Sequence, residues 1–525
     1  MKSALFQKMT RYPRTGTRAG ALVLALGLTA TATACGTGQQ AAGGEISDLV
    51  VDVRVEPDSL DPMYRNTPEA QRYYRLVYSS LLRWNDDKEL EPDLATEMPE
   101  VSDDRTTYRI ELAEGVTFHD GTPLTAEDVV FTYEQVADPD NGTAWLSALS
   151  FMDSIEAEDD HTVVIELTEP YTYMESRLAM IPILSSEDGY TSNDTHAQTG
   201  NGSGPYKFEE MTRGESLVLR KNEEYFGGDP EFDSITFEVV PEDASRVARL
   251  ANGTSHIAPD IPGDQVELVK DRGQNAATVE DNGSRMFFYP SMLEGRPTTD
   301  ADFRLAIARA IDRGAIVEQV YDGAARPNST YLSYGSQYHD EELGLAFGEE
   351  PDVEKAKEHL KESGVELDRE LSIIALDSPD LISAATIIQA NLEEIGIEAK
   401  VESEKLAGFY PKMKSGEYDL ILYDVPVTTS TGFAPDYVNG GLNSESANNF
   451  NSFGDPEMDT RLEEALTAES EDEQQDAWRA VQEYDLESQG NIQVVVSQTS
   501  EAWSTSLEDY EPSSLPWLNA FTTVD

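Results

Sequence analysis

The stretch Ser102–Val136, SDDRTTYRIELAEGVTFHDGTPLTAEDVVFTYEQV, decides the fold because its hydrophobic period changes within one short segment. Tyr108, Ile110 and Leu112 alternate with Arg109 and Glu111, the period-two pattern of a half-buried strand. Gly115 marks a turn, Val116 and Phe118 a second short strand, and Asp120-Gly121 another turn. Thr125 stands three residues before Asp128, a capping-box spacing, ahead of Val129, Val130, Tyr133 and Val136 at helical intervals. Every residue in the run has a structural reason to be there, so the stretch reports an α/β arrangement and says nothing of chemistry.

Read as an ordered set, these features resemble the signature region of the family 5 extracellular solute-binding proteins, the oligopeptide-, dipeptide- and nickel-binding receptors of ABC importers. Two further blocks are similar to that family. Gly200-Asn201-Gly202-Ser203-Gly204-Pro205-Tyr206 matches its Gly-Pro-Tyr turn; lacking a Gly-Lys-Ser/Thr ending, it is no phosphate loop. Asp302–Gly323 carries the stripe Phe303, Ile307, Ala310 and Ile311, an expected capping box at Thr299 and Asp302, and Asp312-Arg313 where the family has Ala-Ile-Asp-Arg. The resemblance covers the chain beyond its leader. It implies an α/β, two-lobe, type II periplasmic-binding-protein-like fold with an extra small subdomain in the first lobe.

The expected organisation is a signal peptide over 1–34, a flexible tether over 35–47 and a first lobe over 48–285 that includes the subdomain at about 84–190. A second lobe follows over 286–490, with a return to the first lobe over 491–525. Strand, helix and strand patterns at Leu371–Ala375, Leu381–Ile395 and Ile397–Val401, then a helix at Phe409–Lys414 and a strand at Tyr418–Tyr423, predict parallel crossovers in the second lobe. At 525 residues the chain exceeds one hydrophobic core, by the usual prior of ~150 residues per domain.

The first 34 residues contain no acid and five basic residues, then an apolar run from Ala21 to Ala30. This is the pattern of a secretory signal, shorter than the ~20 residues of a transmembrane helix. Ala32-Thr33-Ala34-Cys35 resembles a lipoprotein box whose cysteine receives a diacylglyceryl group, although the usual leucine is Ala32; the alternative is an ordinary signal peptidase site. With Cys35 the only cysteine, an intramolecular disulfide is excluded. The net charge of −62 excludes nucleic acid as a partner. Dispersed acids point to a surface kept soluble at high ionic strength, with attraction of cationic ligands as the alternative.

The six histidines (119, 161, 196, 256, 339 and 359) show no His-x-x-His or His-Glu-x-x-His spacing, so no metal site and no cofactor is expected. Asp138–Gly142 reads as a turn, since glycine stands where a calcium ligand should. No Gly-x-Ser-x-Gly elbow appears, and no catalytic residue is assigned.

The ligand question falls on Tyr423–Asp436, YDVPVTTSTGFAPD, after a strand of the second lobe, because open α/β sheets bind at strand ends. In peptide-binding members this loop begins Gly-Trp and carries, four residues before a proline, an aspartate that pairs with the peptide ammonium. Here the proline is Pro435 and that position is Thr431, while Asp424 and Val425 stand in place of Gly-Trp. Asp424 supplies the missing anion from another position, or Thr431 marks a neutral ligand. His256 in place of the aspartate of Gly-x-x-Asp-Ile-Ala, and Pro290-Ser291 in place of an asparagine, point to the neutral ligand. The resemblance adds Asp58, in the loop Pro57–Pro62, as a cleft residue, so the candidate ligand-binding set is Tyr423, Asp424, Thr431, Phe433 and Asp58, with Cys35 for lipidation.

The implied function is that of a monomeric, lipid-anchored receptor facing the extracellular or periplasmic side. It closes two lobes over a small solute, a di- or oligopeptide first, and delivers it to a permease with its ATPase. A saccharide or nickel complex is the alternative ligand within the family. From other classes, a cell-surface hydrolase or a purely structural surface protein remains.

Overall fold

In the computed structural model, residues 46–513 are described apart from 57–58, 65–67, 86–88, 144, 191–199, 280–282, 427–432, 447 and 509. The strand expected at Tyr108–Leu112 is Thr107–Glu111, the second of four antiparallel strands whose order continues through Thr162–Leu167 to Met152–Asp159. Val116 and Phe118 are buried, but their expected strand shrinks to a single bridge between Thr117 and Pro123. The helix Ala126–Ala137 buries Val129, Tyr133 and Val136 completely. Asp128 reaches back to accept from the Thr125 backbone N–H at 2.8 Å and its hydroxyl at 3.2 Å, while its other oxygen accepts from Ser186.

This small sheet and helix are inserted into a seven-stranded mixed sheet. Its order is Asn275–Val279, Thr499–Trp503, Ile257–Ile261, Asp48–Val53, Ser234–Val239, Ser216–Lys221 and Tyr206–Thr212. The glycine-rich turn packs where no side chain fits: a Cβ on Gly202 or Gly204 would meet the Val77 carbonyl group at 2.0 or 2.7 Å. The turn also takes the His119 ring, whose Nε2 lies 3.0 Å from the Gly204 carbonyl oxygen; burial pushes the His119 pKa down to about 4, so it donates there as a neutral ring.

A second, six-stranded sheet runs Ala325–Pro327, Ile492–Ser497, Ser284–Pro290, Leu420–Pro426, Leu371–Leu376 and Ala399–Glu404. Its last three strands are parallel, as the crossover pattern requires. The helix Leu406–Ser415 ends on Gly416 at φ +66°, a left-handed position that suits glycine.

Two expectations are corrected here. Ile492–Ser497, placed by sequence in the segment returning to the first lobe, pairs in the six-stranded sheet; the passage to the other sheet is at Gln498, just before Thr499. The capping box at Thr299 and Asp302 is absent: Asp300 caps Ala301–Ala310 by accepting from the Phe303 N–H at 3.0 Å. The block Asp302–Gly323 is two helices, because Asp312 caps a second one, Arg313–Val320. Arg313 is fully buried and donates to the carbonyls of Ala308 and Gln493, so Asp-Arg at this place is a joint between helices and sheet. Asp138–Gly142 is a turn, with Asp138 accepting from the Asp140 N–H.

The two large sheets belong to one compact unit and are joined by two passages, one between Val279 and Ser284 and one at Gln498. Two short passages linking two bodies are a construction that lets them rotate about a hinge of a few residues.

Candidate functional site

The strand Leu420–Pro426 runs to the end of the six-stranded sheet beside Ser284–Pro290, with Tyr423 opposite Phe287 and Asp424 opposite Met286. Successive side chains of a strand point to opposite faces. Met286, Phe288, Leu420 and Leu422 lie in one apolar cluster with Phe303, Ile307, Leu381 and Ile388 of the covering helices. Phe287, Tyr289 and Ile421 lie in another with Phe409 and Met413, joined by Tyr423 and Val425. Tyr423 and Asp424, both assigned to the ligand from sequence, therefore stand on opposite faces.

On the Tyr423 face the Tyr423 and Tyr410 hydroxyls are 2.8 Å apart, and the Tyr423 ring lies 5.3 Å from Phe409 and 6.3 Å from Phe287. Burial pushes the Tyr423 phenol well above its usual range, helped by the bond to Tyr410. Tyr410 is 38 % exposed, so this aromatic edge reaches water. Beside it Arg285, fully buried, stacks on Tyr331 at 3.9 Å, Tyr437 at 4.6 Å and Phe287 at 4.9 Å. It donates to the Tyr331 carbonyl and, at 2.7 Å, to the Tyr437 hydroxyl. Tyr437 belongs to the helix Phe433–Leu442, so Arg285 ties that helix to the sheet. Sequence reasoning passed over Arg285; the signal was an arginine inside the otherwise apolar and aromatic strand Ser284–Pro290.

Asp424 faces the helix side. Burial raises its pKa, and Asp380 adds to the shift; Asp380 itself is raised by burial. Tyr321 is pushed up too, by burial and then by Asp424 and Asp380. Beside these groups a cleft of about 590 Å³ opens between the two sheets. One wall carries Arg54, Arg72, Asp243, Asp260 and Asp264, the other Tyr321, Asp322 and Asp380, with Ser497–Thr499 between them. Both arginines are engaged, Arg54 with Asp243 at 3.1 Å and Arg72 with Asp260 at 3.6 Å. The cleft is thus net acidic and suits a cationic group.

Of the other sequence-predicted residues, Asp58, Thr431 and Cys35 lie outside the described residues, and Phe433 is described only as the first residue of its helix. His256 is occupied by sheet pairing: its Nδ1 accepts from the Val50 N–H at 2.9 Å and its own N–H donates to the Val50 carbonyl. Ser291 donates to the Gly416 carbonyl at 2.8 Å. Both substitutions have structural work, so neither bears on the ligand.

Comparison with known proteins places this geometry. Protein XP55 of Streptomyces lividans is 29% identical over 487 residues, covering 89% of this chain and 86% of that protein. The oligopeptide-binding protein AppA of Bacillus subtilis is 26% identical over 401 residues, covering 71% of this chain and 72% of its own length. Among solved structures, the ABC transporter substrate-binding protein CtaP of Listeria monocytogenes superposes with a TM-score of 0.79 at 23% identity, over 91% of this chain and 99% of that one. AppA of Bacillus subtilis in complex with a nonapeptide superposes with a TM-score of 0.75 at 22% identity, over 91% and 98%. These likenesses establish the two-lobe periplasmic-binding-protein fold. The profile of the bacterial extracellular solute-binding proteins, family 5, matches residues 89–449, and the chain belongs to that family.

Proposed function

We propose that the chain is the solute receptor of an ABC importer, that it captures a di- or oligopeptide by closing its two lobes, and that it hands the ligand to a permease driven by a separate ATPase. The observation that carries this reading is the pair of passages joining two sheets across a cleft. A ligand touching both walls stabilises the closed arrangement by its differential affinity for it. The oligopeptide-binding AppA of Bacillus subtilis, solved in complex with a nonapeptide, supports a peptide. Asp424 supports an ammonium group, since a half-buried carboxylate with a raised pKa and no cationic partner among the described residues gains from one. The cycle is binding and release with no reaction step, as in a family made of binding proteins.

A neutral ligand such as a saccharide is the second reading, favoured by the aromatic edge at Tyr410 and Tyr423. Because the two residues occupy opposite faces, one pair of variants separates the readings. Thermal-shift screening of tripeptide, saccharide and metal-chelate panels finds the class, since ligand at a hundredfold excess over its Kd adds ~2.7 kcal/mol. With a peptide hit, Asp424→Asn weakens binding about tenfold or more, the scale of a charge-assisted hydrogen bond of ~1.5–3 kcal/mol. If Asp424→Asn binds the peptide as the parent does, the ammonium assignment is wrong. With a saccharide hit, Tyr423→Ala carries the loss.

The apolar leader and the Ala-Thr-Ala-Cys35 ending support a location on the outer side of the cell membrane with an acylated Cys35 as anchor; no helix among the described residues is long and apolar enough to cross a membrane. Two acyl chains at ~0.8 kcal/mol per buried methylene give stable anchoring. Cys35→Ala releases the protein to the medium, and unchanged cell association would refute the anchor.

A further inference from the structure

The helices Ala301–Ala310 and Val353–Ser363 pack on the face of the six-stranded sheet opposite the aromatic edge, contributing Phe303, Ile307 and Ala356 to one core. Asp302 lies in the first turn of one, and His359 and Glu362 lie toward the end of the other, three residues apart and so on one face. Fifty-seven residues of sequence separate Asp302 from His359, yet Asp302 Oδ1 is 2.9 Å from His359 Nδ1, and Glu362 Oε2 is 3.9 Å from the same nitrogen. One ligand atom from each of the three residues lies within 4.8 Å of the others.

Two carboxylates thus converge on one imidazole nitrogen, which has at most one proton to offer. A hydrogen bond to Asp302 accounts for one of them and leaves Glu362 turned toward a nitrogen it cannot share. None of the three has a lysine or arginine partner among the described residues, in a chain with 38 basic against 100 acidic side chains. A metal ion resolves this, because it accepts all three donors at once. Ligands ~2.0–2.2 Å from a common ion lie about 3–4 Å from each other. Two of the spacings already have that size, and Glu362, with an exposed side chain, closes the third by a rotamer change. Imidazole with two carboxylates, leaving positions for water, suits Zn²⁺, Ni²⁺, Co²⁺ or Cu²⁺ over the oxygen-seeking Ca²⁺ and Mg²⁺.

We propose that Asp302, His359 and Glu362 form a binding site for a borderline divalent cation that joins the two outer helices of the second lobe. The site is separate from the solute cleft and independent of the ligand transported. A protein this acidic also binds cations weakly at scattered carboxylates, and the histidine distinguishes the site from that background.

The test is a titration of the chelator-treated mature chain with ZnCl₂, followed by thermal unfolding, beside His359→Gln and Asp302→Asn. Zn²⁺ raises the Tm of the parent in the micromolar range, and each variant needs at least about tenfold more Zn²⁺ for the same shift, each having lost one of three donors. CaCl₂ at equal concentration leaves the parent unchanged in that range. Co²⁺ gives visible absorption bands with the parent that His359→Gln abolishes. A Zn²⁺ response identical in His359→Gln, or one reproduced by Ca²⁺, means carboxylate background only and overturns the site; so does a flat response to 1 mM Zn²⁺.

Discussion

The two faces of the six-stranded sheet are built from alternate residues of the same strands and differ in kind. Met286, Phe288, Leu420 and Leu422 are fully buried beneath helices, and this part of the face is apolar and closed. Phe287, Tyr289 and Tyr423 on the other face carry ring edges and hydroxyls, share the surface with Arg285, and run out to the exposed Tyr410. The closed part of the first face holds the lobe together, and the aromatic face keeps polar tips that pair with protein and reach water at Tyr410. Because the strand period is two, neighbouring residues 422 and 423 serve different ends, and the comparison can be tested one residue at a time.

The largest effect is expected on the closed face. Leu422→Ala empties a fully buried site and costs ~2–5 kcal/mol of stability, read from urea unfolding, while the folded fraction binds ligand with unchanged Kd. A change in Kd comparable to that of Tyr423→Ala would erase the distinction between the faces.

The next prediction concerns what holds the aromatic face in place. Asp485 is buried in the helix Glu471–Ser488 and accepts from the Tyr331 N–H at 2.6 Å, on the residue whose carbonyl receives Arg285. Burial raises its pKa to about 7, against the lowering effects of that hydrogen bond and of Arg285. A carboxyl raised in the folded state stabilises fully below its unfolded value near 3.8 and loses that contribution as pH climbs through about 7. Asp485→Asn removes the titration and still accepts the N–H. Relative to the parent, the variant gains stability between pH 5 and pH 8, by on the order of 2 kcal/mol. Urea midpoints at the two pH values check this, and a constant difference would mean that Asp485 stays charged.

How far sequence reaches is clear at particular residues. The Tyr108–Val136 run and the parallel crossovers were legible because their signals are local: alternation, helical spacing and caps. The cap at Asp300 was misread as Thr299 because both residues suit the role, and only the Phe303 N–H decides between them. The strand Ile492–Ser497 is apolar enough for either sheet, so its partner could not be read from its own residues. At the site, period two alone separates Tyr423 from Asp424 once the strand is extended to Pro426; ending it at Tyr423 hid that. The Arg285 stack needs Tyr331 and Tyr437, 46 and 152 residues away, and the convergence on His359 is equally remote; neither leaves a local pattern.

The smallest effect belongs to a single hydroxyl. Tyr423→Phe keeps the ring against Phe287 and Phe409 and removes only the bond to Tyr410. Tyr410 is exposed enough for its hydroxyl to find water, so no buried group is left unpaired and the loss of stability is ~0.5–1 kcal/mol. Thermal unfolding of the free protein should therefore barely separate variant from parent. Calorimetry with the ligand found by screening then gives the decisive comparison. If the Tyr423 hydroxyl exchanges its bond from Tyr410 to the solute on closure, affinity falls by more than stability does. If affinity and stability change equally little, the face contacts the solute through its rings alone. A stability loss as large as that of Leu422→Ala would show that the aromatic face is packed as tightly as the closed one, and the division of labour between the two faces would have to be given up.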